Sequence, residues 1–294
     1  MSVESALALI ESVKDYRVLF VGDRIVDEYH YVQQLGKSPK EYVIPLKYLE
    51  KEVFAGGVEA AANHARSFCA NVTVAGGVQI TRKVRFVDKN DIRKLCEVHY
   101  SEICGAPTDF VGALDALVIT DFGHGAVDTV LAQRYSSGNT FTAVNAQTNS
   151  ANIGFNLITK YPRADYIVID EPEARLAAAD REGHIEDVVH KLAHGRCERF
   201  VVTRGKFGSV GYDHGRFFIA PTYSGIPLDT LGAGDAFLAV TAPMAKHGSM
   251  EDLLLIGNAA GALKTQIVGH RTSVTKEALI EFIKAGHVGG IKCA

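Results

Sequence analysis

The sequence has few cysteines and almost no net charge, and each shortage excludes a class of protein. Its five cysteines, an odd number, are scattered through 294 residues without a CxxC pair. They indicate reduced thiols in a cytoplasmic protein rather than a disulfide framework or a zinc site. The 31 basic and 34 acidic residues give a net charge of −3. A nearly neutral chain is not expected to bind nucleic acid through its overall charge.

Long apolar runs are also lacking. The longest clean ones, such as Ala236–Ala245, are far shorter than the roughly 18 residues that would span a bilayer. Glu4 and Glu11 interrupt the apolar stretch at the N-terminus, which argues against a signal peptide. Apolar residues make up 47% of the chain, which is enough for a sizeable core. Membrane and secreted proteins are therefore not expected.

Short apolar runs of strand length alternate with helical patterns along most of the chain. This alternation favours a parallel sheet covered by helices on both faces. Ser209–Tyr212 and Arg216–Ile219 predict a hairpin, and helices are expected near 233–246, 251–267 and 275–284. The predicted strands before the hairpin are Arg17–Val21, Asn71–Ala75, Leu117–Thr120, Thr142–Asn145, Tyr166–Asp170 and Phe200–Thr203.

Two stretches depart from this alternation. Tyr29–Val53 and Ile80–Tyr100 alternate apolar with polar residues and predict antiparallel strands off the main sheet. We interpret them as a lid over about residues 29–53 and 80–100, on a single α/β domain of residues 1–294. Only a few residues separate Gly77 from the second stretch, so no further helix–strand unit is expected between them.

The sharpest motif is the nonapeptide DTLGAGDAF, residues 229–237. Small residues at Gly232, Ala233 and Gly234 allow a tight turn, and the run from Ala236 has a helical pattern. The segment therefore predicts a helix N-terminus whose free N–H groups favour phosphate. Asp235, in the first turn, is placed to accept a proton from an attacking hydroxyl. For a lone GxGD, a plain turn and a first-turn acid would be the simpler interpretation; the whole nonapeptide weakens it.

This nonapeptide resembles the second signature of the PfkB/ribokinase family of carbohydrate kinases, DTxGAGD. Phe54–Gly57 followed by Asn63 resembles the family's first, sugar-binding signature. Val21–Asp23 with Asp27, and Asp121 in DFGHG, look most similar to the heptose-phosphate kinase branch. The resemblance covers most of the chain in a consistent order. It implies a ribokinase-like three-layer α/β/α fold with a mostly parallel central sheet and a small β lid.

The resemblance also implies an activity. The chain would pass the γ-phosphoryl group of ATP to a hydroxyl of a sugar or sugar phosphate, with a heptose 7-phosphate as one acceptor. Asp235 would be the base, and the N–H groups of Gly232, Ala233 and Gly234 an anion hole. The implied cofactors are ATP and Mg²⁺, with a monovalent cation left open. The implied partners are small molecules rather than nucleic acid or membrane, and a homodimer follows by analogy with the lids of the family.

Further site residues follow partly from their own pattern and partly from the same resemblance. Lys83 and Arg85 suit a sugar phosphate, but equally a solvated edge strand. The resemblance implies that Glu173 contacts Mg²⁺ through water, together with Asp170, which stands where the family has Asn. The alternative is that both acids are only charges in the first turn of a helix. The implied acceptor-side residues are Asp23 (equally a strand-end cap), Asp27, Gly56, Gly57, Asn63 and Asp121. The implied nucleotide-side residues are Thr203, Gly205, Gly208 and Asn258 (equally a helix-start amide). Asn145 starts the polar loop 145–156, which follows a strand and is expected to line the nucleotide or the sugar side of the cleft.

Two other functions stay open. One is a kinase of another small hydroxylated acceptor, such as a nucleoside. The other is a catalytically weak, kinase-like module that binds sugar or nucleotide, which the absent helix–strand unit and Asp170 favour. The intact Asp235 argues against that module. The chain has no HExxH and no HxGH motif, so neither a metalloenzyme nor a fused nucleotidyltransferase is expected.

Overall fold

The computed structural model describes residues 3–103, 112–223, 225–286 and 292–293. Across these ranges no helix is long and apolar enough to cross a bilayer. Cys69, Cys96 and Cys197 are free thiols. Cys104 and the side chain of Cys293 lie outside the described part, and the cytoplasmic location stays a prediction.

Strands and helices alternate along the described chain, as predicted. The strands are β1 (Arg17–Gln34), β2 (Leu46–Gly56), β3 (Asn71–Asp88), β4 (Lys94–Ile103), β5 (Ala116–Asp121), β6 (Thr142–Ala146), β7 (Tyr166–Asp170), β8 (Arg199–Thr203), β9 (Ser209–Asp213), β10 (Arg216–Ala220) and β11 (Lys292–Cys293). The helices are α1 (Val3–Ser12), α2 (Gly57–Ala65), α3 (Thr129–Ser136), α4 (Glu171–Ala178), α5 (Ile185–Ala193), α6 (Ala233–Thr241), α7 (Met250–Lys264) and α8 (Lys276–Lys284).

The strands form one mixed sheet with a parallel centre. In the described residues its order is β11-β10-β9-β8-β7-β6-β5-β1-β3-β4, with β2 paired to β1 off this path. The strands from β3 through β1, β5, β6 and β7 to β8 are parallel neighbours. β9 and β10 form the predicted antiparallel hairpin. The mostly parallel sheet of the predicted α/β class is confirmed.

A separate apolar core covers each face of this sheet. One core includes Phe20 and Val118 and lies under α1, α2, α6, α7 and α8. The other includes Leu19 and Ile119 and lies under α3, α4 and α5. Successive side chains of a strand point to opposite faces, so the continuous apolar strands supply both cores. The result is the expected three-layer arrangement.

The lid strands differ from the prediction, because two of them continue from the central sheet. β1 and β3 pair in parallel from Arg17 with Asn71 to Val32 with Asp88, with one irregularity after Gly22. Among the four described lid strands, the outer two, β2 and β4, are antiparallel to their neighbours. β3 runs through residues 77–80 without an intervening helix, as the short spacing predicts.

Gly22 marks the point where the lid leaves the central sheet. The pairing of β1 with β5 ends at Gly22 and Thr120, and its pairing with β2 begins at Ile25 and Gly56. A Cβ atom on Gly22 would lie 2.0 Å from the carbonyl oxygen of Thr120. This close approach of two backbones requires glycine at the branch.

The base of the lid has a small core of its own, formed by Tyr29, Tyr31, Phe54 and Val87. The Tyr29 hydroxyl donates a hydrogen bond to Oδ2 of Asp229 at 3.0 Å. Asp229 opens the nonapeptide that leads into α6. The lid is therefore tied directly to the segment that carries the sharpest sequence motif.

Candidate active site

A cleft of about 1240 Å³ opens at the carboxyl ends of the parallel strands. Lid residues of β1 and β3 line one side, and the segments after β6, β7 and β8 line the other. The first turn of α6 lines it as well. Binding sites of open α/β sheets lie at this edge, because the loops after the strands converge there.

The nonapeptide turns into the cleft as predicted. Gly232 caps α6 with a left-handed φ of 76°, and the helix begins at Ala233. A Cβ atom on Gly234 would have no neighbour within 4 Å. The N–H groups of a first helical turn have no carbonyl partner in the helix. Here the N–H of Ala233 donates to the carbonyl of Thr230 at 3.4 Å, and Gly234 borders open space. This is the arrangement that helix N-termini use to bind phosphate.

Asp235 lines the cleft, although the residue is only 8% exposed. Gln147 donates a hydrogen bond from its side-chain amide to Oδ1 at 2.6 Å. Burial raises the pKa of the Asp235 carboxyl, and the nearby charges of His270, Lys264 and Lys83 partly offset this effect. A carboxylate that is oriented by an amide and has a raised pKa suits a general base.

Asp27 also lines the cleft, but protein groups already hold its carboxylate. Arg85 donates to Oδ1, and Nε2 of His270 lies 3.4 Å from Oδ2. Burial opposes ionisation, but hydrogen bonds and charges from His270 and Arg85 outweigh it and hold the pKa of Asp27 below its usual range. Nε of Arg85 also lies 2.5 Å from Oε2 of Glu97. Arg85 thus bridges two acids of the protein instead of being free for a sugar phosphate.

Lys83, the other predicted basic residue, lines the cleft and is 6% exposed. No ion pair to it occurs among the described residues. Burial lowers the pKa of Lys83, and the charges of Asp27, Glu97 and Asp23 partly offset this. A desolvated ammonium without a bonded counter-ion favours an anionic ligand.

Two predicted acceptor-side acids face the interior instead. Asp23 accepts hydrogen bonds from the backbone N–H groups of Phe122 at 2.8 Å and Ala126 at 2.9 Å. Asp121 is fully buried, accepts from the Tyr161 hydroxyl at 2.7 Å and pairs with Lys160. Both acids hold the chain after β5 in place, and neither lines the cleft. Their assignment to substrate binding is corrected. Asp23 is not a cap at the end of its own strand either, because β1 continues past it to Gln34.

Asn63 is likewise not brought to the cleft. It lies half-buried on α2, nearly two turns after Gly57, and its side-chain oxygen accepts from Arg66. Gly57, with φ of 57°, does line the cleft. A Cβ atom on Gly56 would lie 2.2 Å from Oδ2 of Asp27. That glycine therefore permits close packing against a carboxylate of the protein.

The predicted nucleotide-side residues all line the cleft. Asn145 donates its amide to the carbonyl of Val168 at 2.7 Å, and its own Oδ1 has no partner among the described residues. A Cβ atom on Gly208, where φ is 84°, would lie 2.0 Å from the carbonyl oxygen of Ala220, so this turn requires glycine. The residues brought together are Asn145, Thr203, Gly205, Gly208 and Asn258. Their contact with a nucleotide stays a prediction.

Asp170 and Glu173, the residues implied for Mg²⁺, form a capping box at the start of α4. The Glu173 carboxylate accepts from the N–H groups of Asp170 at 2.9 Å and Thr148 at 3.0 Å. Burial and the charge of Asp170 raise the pKa of Glu173 to about 8. The described residues hold no cluster of three metal-ligating side chains. A hydrated Mg²⁺ carried mainly by substrate phosphates, with these carboxylates reached through water, fits this donor set.

Three site residues were not predicted individually: Gln147, His270 and Lys264. Gln147 belongs to the polar loop after β6, so its signal was present only at the level of the loop. Lys264 ends α7 and His270 follows it. Because α7 packs against α6, tertiary packing places His270 in the cleft lining and Lys264 behind it, and no local pattern marks them.

A family model described as "pfkB family carbohydrate kinase" matches residues 110–277. Among curated proteins, 2-dehydro-3-deoxygalactonokinase of Haloferax volcanii is 28% identical over 131 residues, which are 44% of this chain and 41% of that protein. The match therefore spans less than half the length of that relative.

Solved structures share the fold at low sequence identity. The ribokinase of Thermotoga maritima has a TM-score of 0.69 at 17% identity. Phosphofructokinase-2 of Escherichia coli, in complex with potassium, has a TM-score of 0.69 at 14% identity. The nucleoside kinase of Methanocaldococcus jannaschii has a TM-score of 0.64 at 16% identity. Each comparison covers 92% of this chain and 99% of the other.

Proposed function

This chain belongs to the pfkB family of carbohydrate kinases, and on that premise we propose that it passes the γ-phosphoryl group of ATP to a hydroxyl of a small sugar derivative. The supporting observation is that Asp235 and the open N-terminus of α6 border the same cleft. A group that accepts the hydroxyl proton and donors that stabilise phosphoryl charge are what this reaction needs.

Each part of the cleft has a step to perform. Asp235 accepts the proton of the acceptor hydroxyl as its oxygen attacks the γ-phosphorus. The bond to the bridging oxygen breaks, and ADP leaves with the electron pair. The N–H groups at Ala233 and Gly234 stabilise charge on the phosphoryl oxygens, while Gln147 holds the carboxylate in position. Asp170 and Glu173 would hold a hydrated Mg²⁺ through water, and the ion would supply positive charge to neutralise the phosphates.

The acceptor carries a single anionic group in this proposal. Of the two basic residues predicted for the acceptor side, Arg85 is neutralised by Asp27 and Glu97, so Lys83 is the one left to meet a charged substrate. One ammonium suits one carboxylate, and the curated relative is named for a sugar acid. A sugar acid is therefore the first candidate. A heptose 7-phosphate is the second, because gripping its phosphate would require Arg85 to release one of its acids.

The homodimer also stays a proposal. The outer lid strands β2 and β4 carry exposed apolar side chains that a second copy would cover. They are Tyr48, Leu49, Val53, Val98 and Tyr100.

An acceptor panel tests the proposed function. Purified protein with ATP and Mg²⁺ is offered sugar acids, a heptose 7-phosphate, neutral sugars and nucleosides, and ADP release is measured. We expect a sugar acid to give the highest kcat/KM. A nucleoside as best acceptor would move the assignment to the other kinase class. ATP binding without ADP release above background for any acceptor would support the catalytically weak module.

Lys83→Met tests the anionic acceptor. Loss of one hydrogen bond between charged groups costs about 1.5–3 kcal/mol, so KM for the acid should rise by roughly tenfold to a hundredfold. KM for a neutral sugar should stay within about twofold. Lys89→Met is the matched control, since this lid lysine pairs with Glu50 at 2.8 Å outside the cleft. Equal increases in KM for acidic and neutral sugars would remove the anionic group from the proposal.

A further inference from the structure

Lys264 is a lysine with no exposed surface, in the last turn of α7. Its ammonium donates to the carbonyl oxygens of Gly269 at 2.7 Å and Ile267 at 3.3 Å. Full burial of a lysine is rare, because desolvation of the ammonium must be offset by bonds and opposite charges. Here burial lowers the pKa of Lys264, and the charges of Asp229 and Asp235 oppose that decrease.

The carbonyls that hold this ammonium belong to a loop that supports the N-terminus of α6. The N–H of Gly269 donates to Oδ2 of Asp229 at 2.8 Å, and Asp229 opens the nonapeptide. A Cβ atom on Gly232, the cap of α6, would lie 3.4 Å from Cε of Lys264 and 3.1 Å from Cε1 of His270. The lysine arm therefore packs directly behind the turn that presents the predicted anion hole.

Converging backbone carbonyls beside an acidic side chain are what a monovalent cation such as K⁺ binds, because they replace its hydration shell. In this chain an ammonium already occupies that cradle. A lysine ammonium carries the same single charge and supplies three N–H donors. The residues present therefore do not fit the monovalent cation that the family resemblance left open.

We propose that the Lys264 ammonium is a built-in substitute for a monovalent cation. It joins the 267–269 loop to the N-terminus of α6, and it makes this chain independent of K⁺. Lys264 is a positioning residue, because it lies behind the anion hole rather than lining the cleft. The inference rests on the proposed kinase function for its rate effects, but its structural effects can be measured without turnover.

Two readouts in three salts test this role. Thermal midpoint and kcat are measured in KCl, NaCl and tetramethylammonium chloride at equal ionic strength, for wild type, Lys264→Ala and Lys191→Ala. Lys191 is the matched control, since its ammonium donates to the carbonyl of Ala178 at 2.5 Å, outside the cleft. Wild type and the control should show the same midpoint and kcat in all three salts.

Lys264→Ala should behave differently. In tetramethylammonium its kcat should fall by about 10²-fold, as when an anion-hole donor is lost, with both KM values within about threefold. K⁺, which fits the vacated carbonyls, should raise its thermal midpoint and recover at least about tenfold in kcat. A general packing defect would not be repaired by K⁺.

Three results would overturn the proposal. One is a wild-type midpoint or kcat that increases with K⁺ over tetramethylammonium. Another is a folded Lys264→Ala variant with unchanged kcat in tetramethylammonium. The third is a loss of kcat in this variant that K⁺ does not restore. If Lys264→Ala does not fold, the wild-type salt series decides. If no acceptor gives turnover, the kinase assignment fails, while the midpoints still test the cation role.

Discussion

Replacing Asp235 by asparagine is expected to lower kcat by about 10²–10⁴-fold, the usual loss on removing a general base, while ATP still binds. Asparagine keeps an oxygen that accepts from Gln147, so the cleft should retain its shape. ADP release gives the rate, and calorimetric titration with a non-hydrolysable ATP analogue gives the affinity.

Stability separates this loss from unfolding. Burial raises the pKa of Asp235, so its protonated form is favoured in the fold, and the associated stabilisation disappears as pH rises through the folded-state pKa. The asparagine variant lacks this titration. Its thermal midpoint should therefore increase relative to that of wild type as pH rises.

Asp252→Asn is the matched control for the same chemical change. Asp252 is also a buried first-turn acid, at the start of α7, and it is held by Ser5 and Ser249 outside the cleft. We expect its kcat to match wild type within about twofold. If Asp235→Asn turned over as fast as Asp252→Asn, the carboxylate would not be the base.

Gly234→Val should lower kcat by about 10²-fold, because the side chain would block the predicted anion hole. The loss of one anion-hole donor typically lowers kcat by about 10²–10³-fold. The valine side chain would project into open cleft space, where the phosphoryl group is proposed to bind. It clashes with no protein atom at Cβ, so the thermal midpoint should change little. The measurement is ADP release at saturating ATP, together with KM for ATP.

Gly138→Val is the corresponding control outside the cleft. Gly138 is exposed after α3, and a Cβ atom there meets only a carbonyl at 3.5 Å. This variant should keep both kcat and KM. An unchanged kcat in Gly234→Val would show that phosphate does not approach the first turn of α6.

Local chemistry explains which predictions from the sequence succeeded. The helix start at DTLGAGDAF depends on residues within one turn of each other, and α6 begins at Ala233 as expected. The buried strands were predictable because a short apolar run bounded by turn residues is a local pattern, visible in the sequence itself. The residues predicted for the nucleotide side, such as Thr203 and Gly208, lie at or after the end of β8, and parallel strands bring their ends to one edge.

Two acids on β1 show a difference that local patterns do not predict. Asp23 and Asp27 are four residues apart on β1, yet Asp23 faces inward and Asp27 lines the cleft. The register irregularity after Gly22 and the branch of the sheet decide this difference. Both depend on which strands become neighbours, which no local pattern in β1 records.

The sequence by itself determined the parallel sheet with helices on both faces, the hairpin, and a first-turn acid on a phosphate-type helix N-terminus. Only the tertiary structure decided how charges are paired around that acid. Parallel pairing of β1 with β3 places Arg85 against Asp27, and the packing of α7 on α6 places the Lys264 ammonium behind Gly232. Charge pairing depends on distances between residues far apart in the chain, and the order of residues alone does not specify those distances.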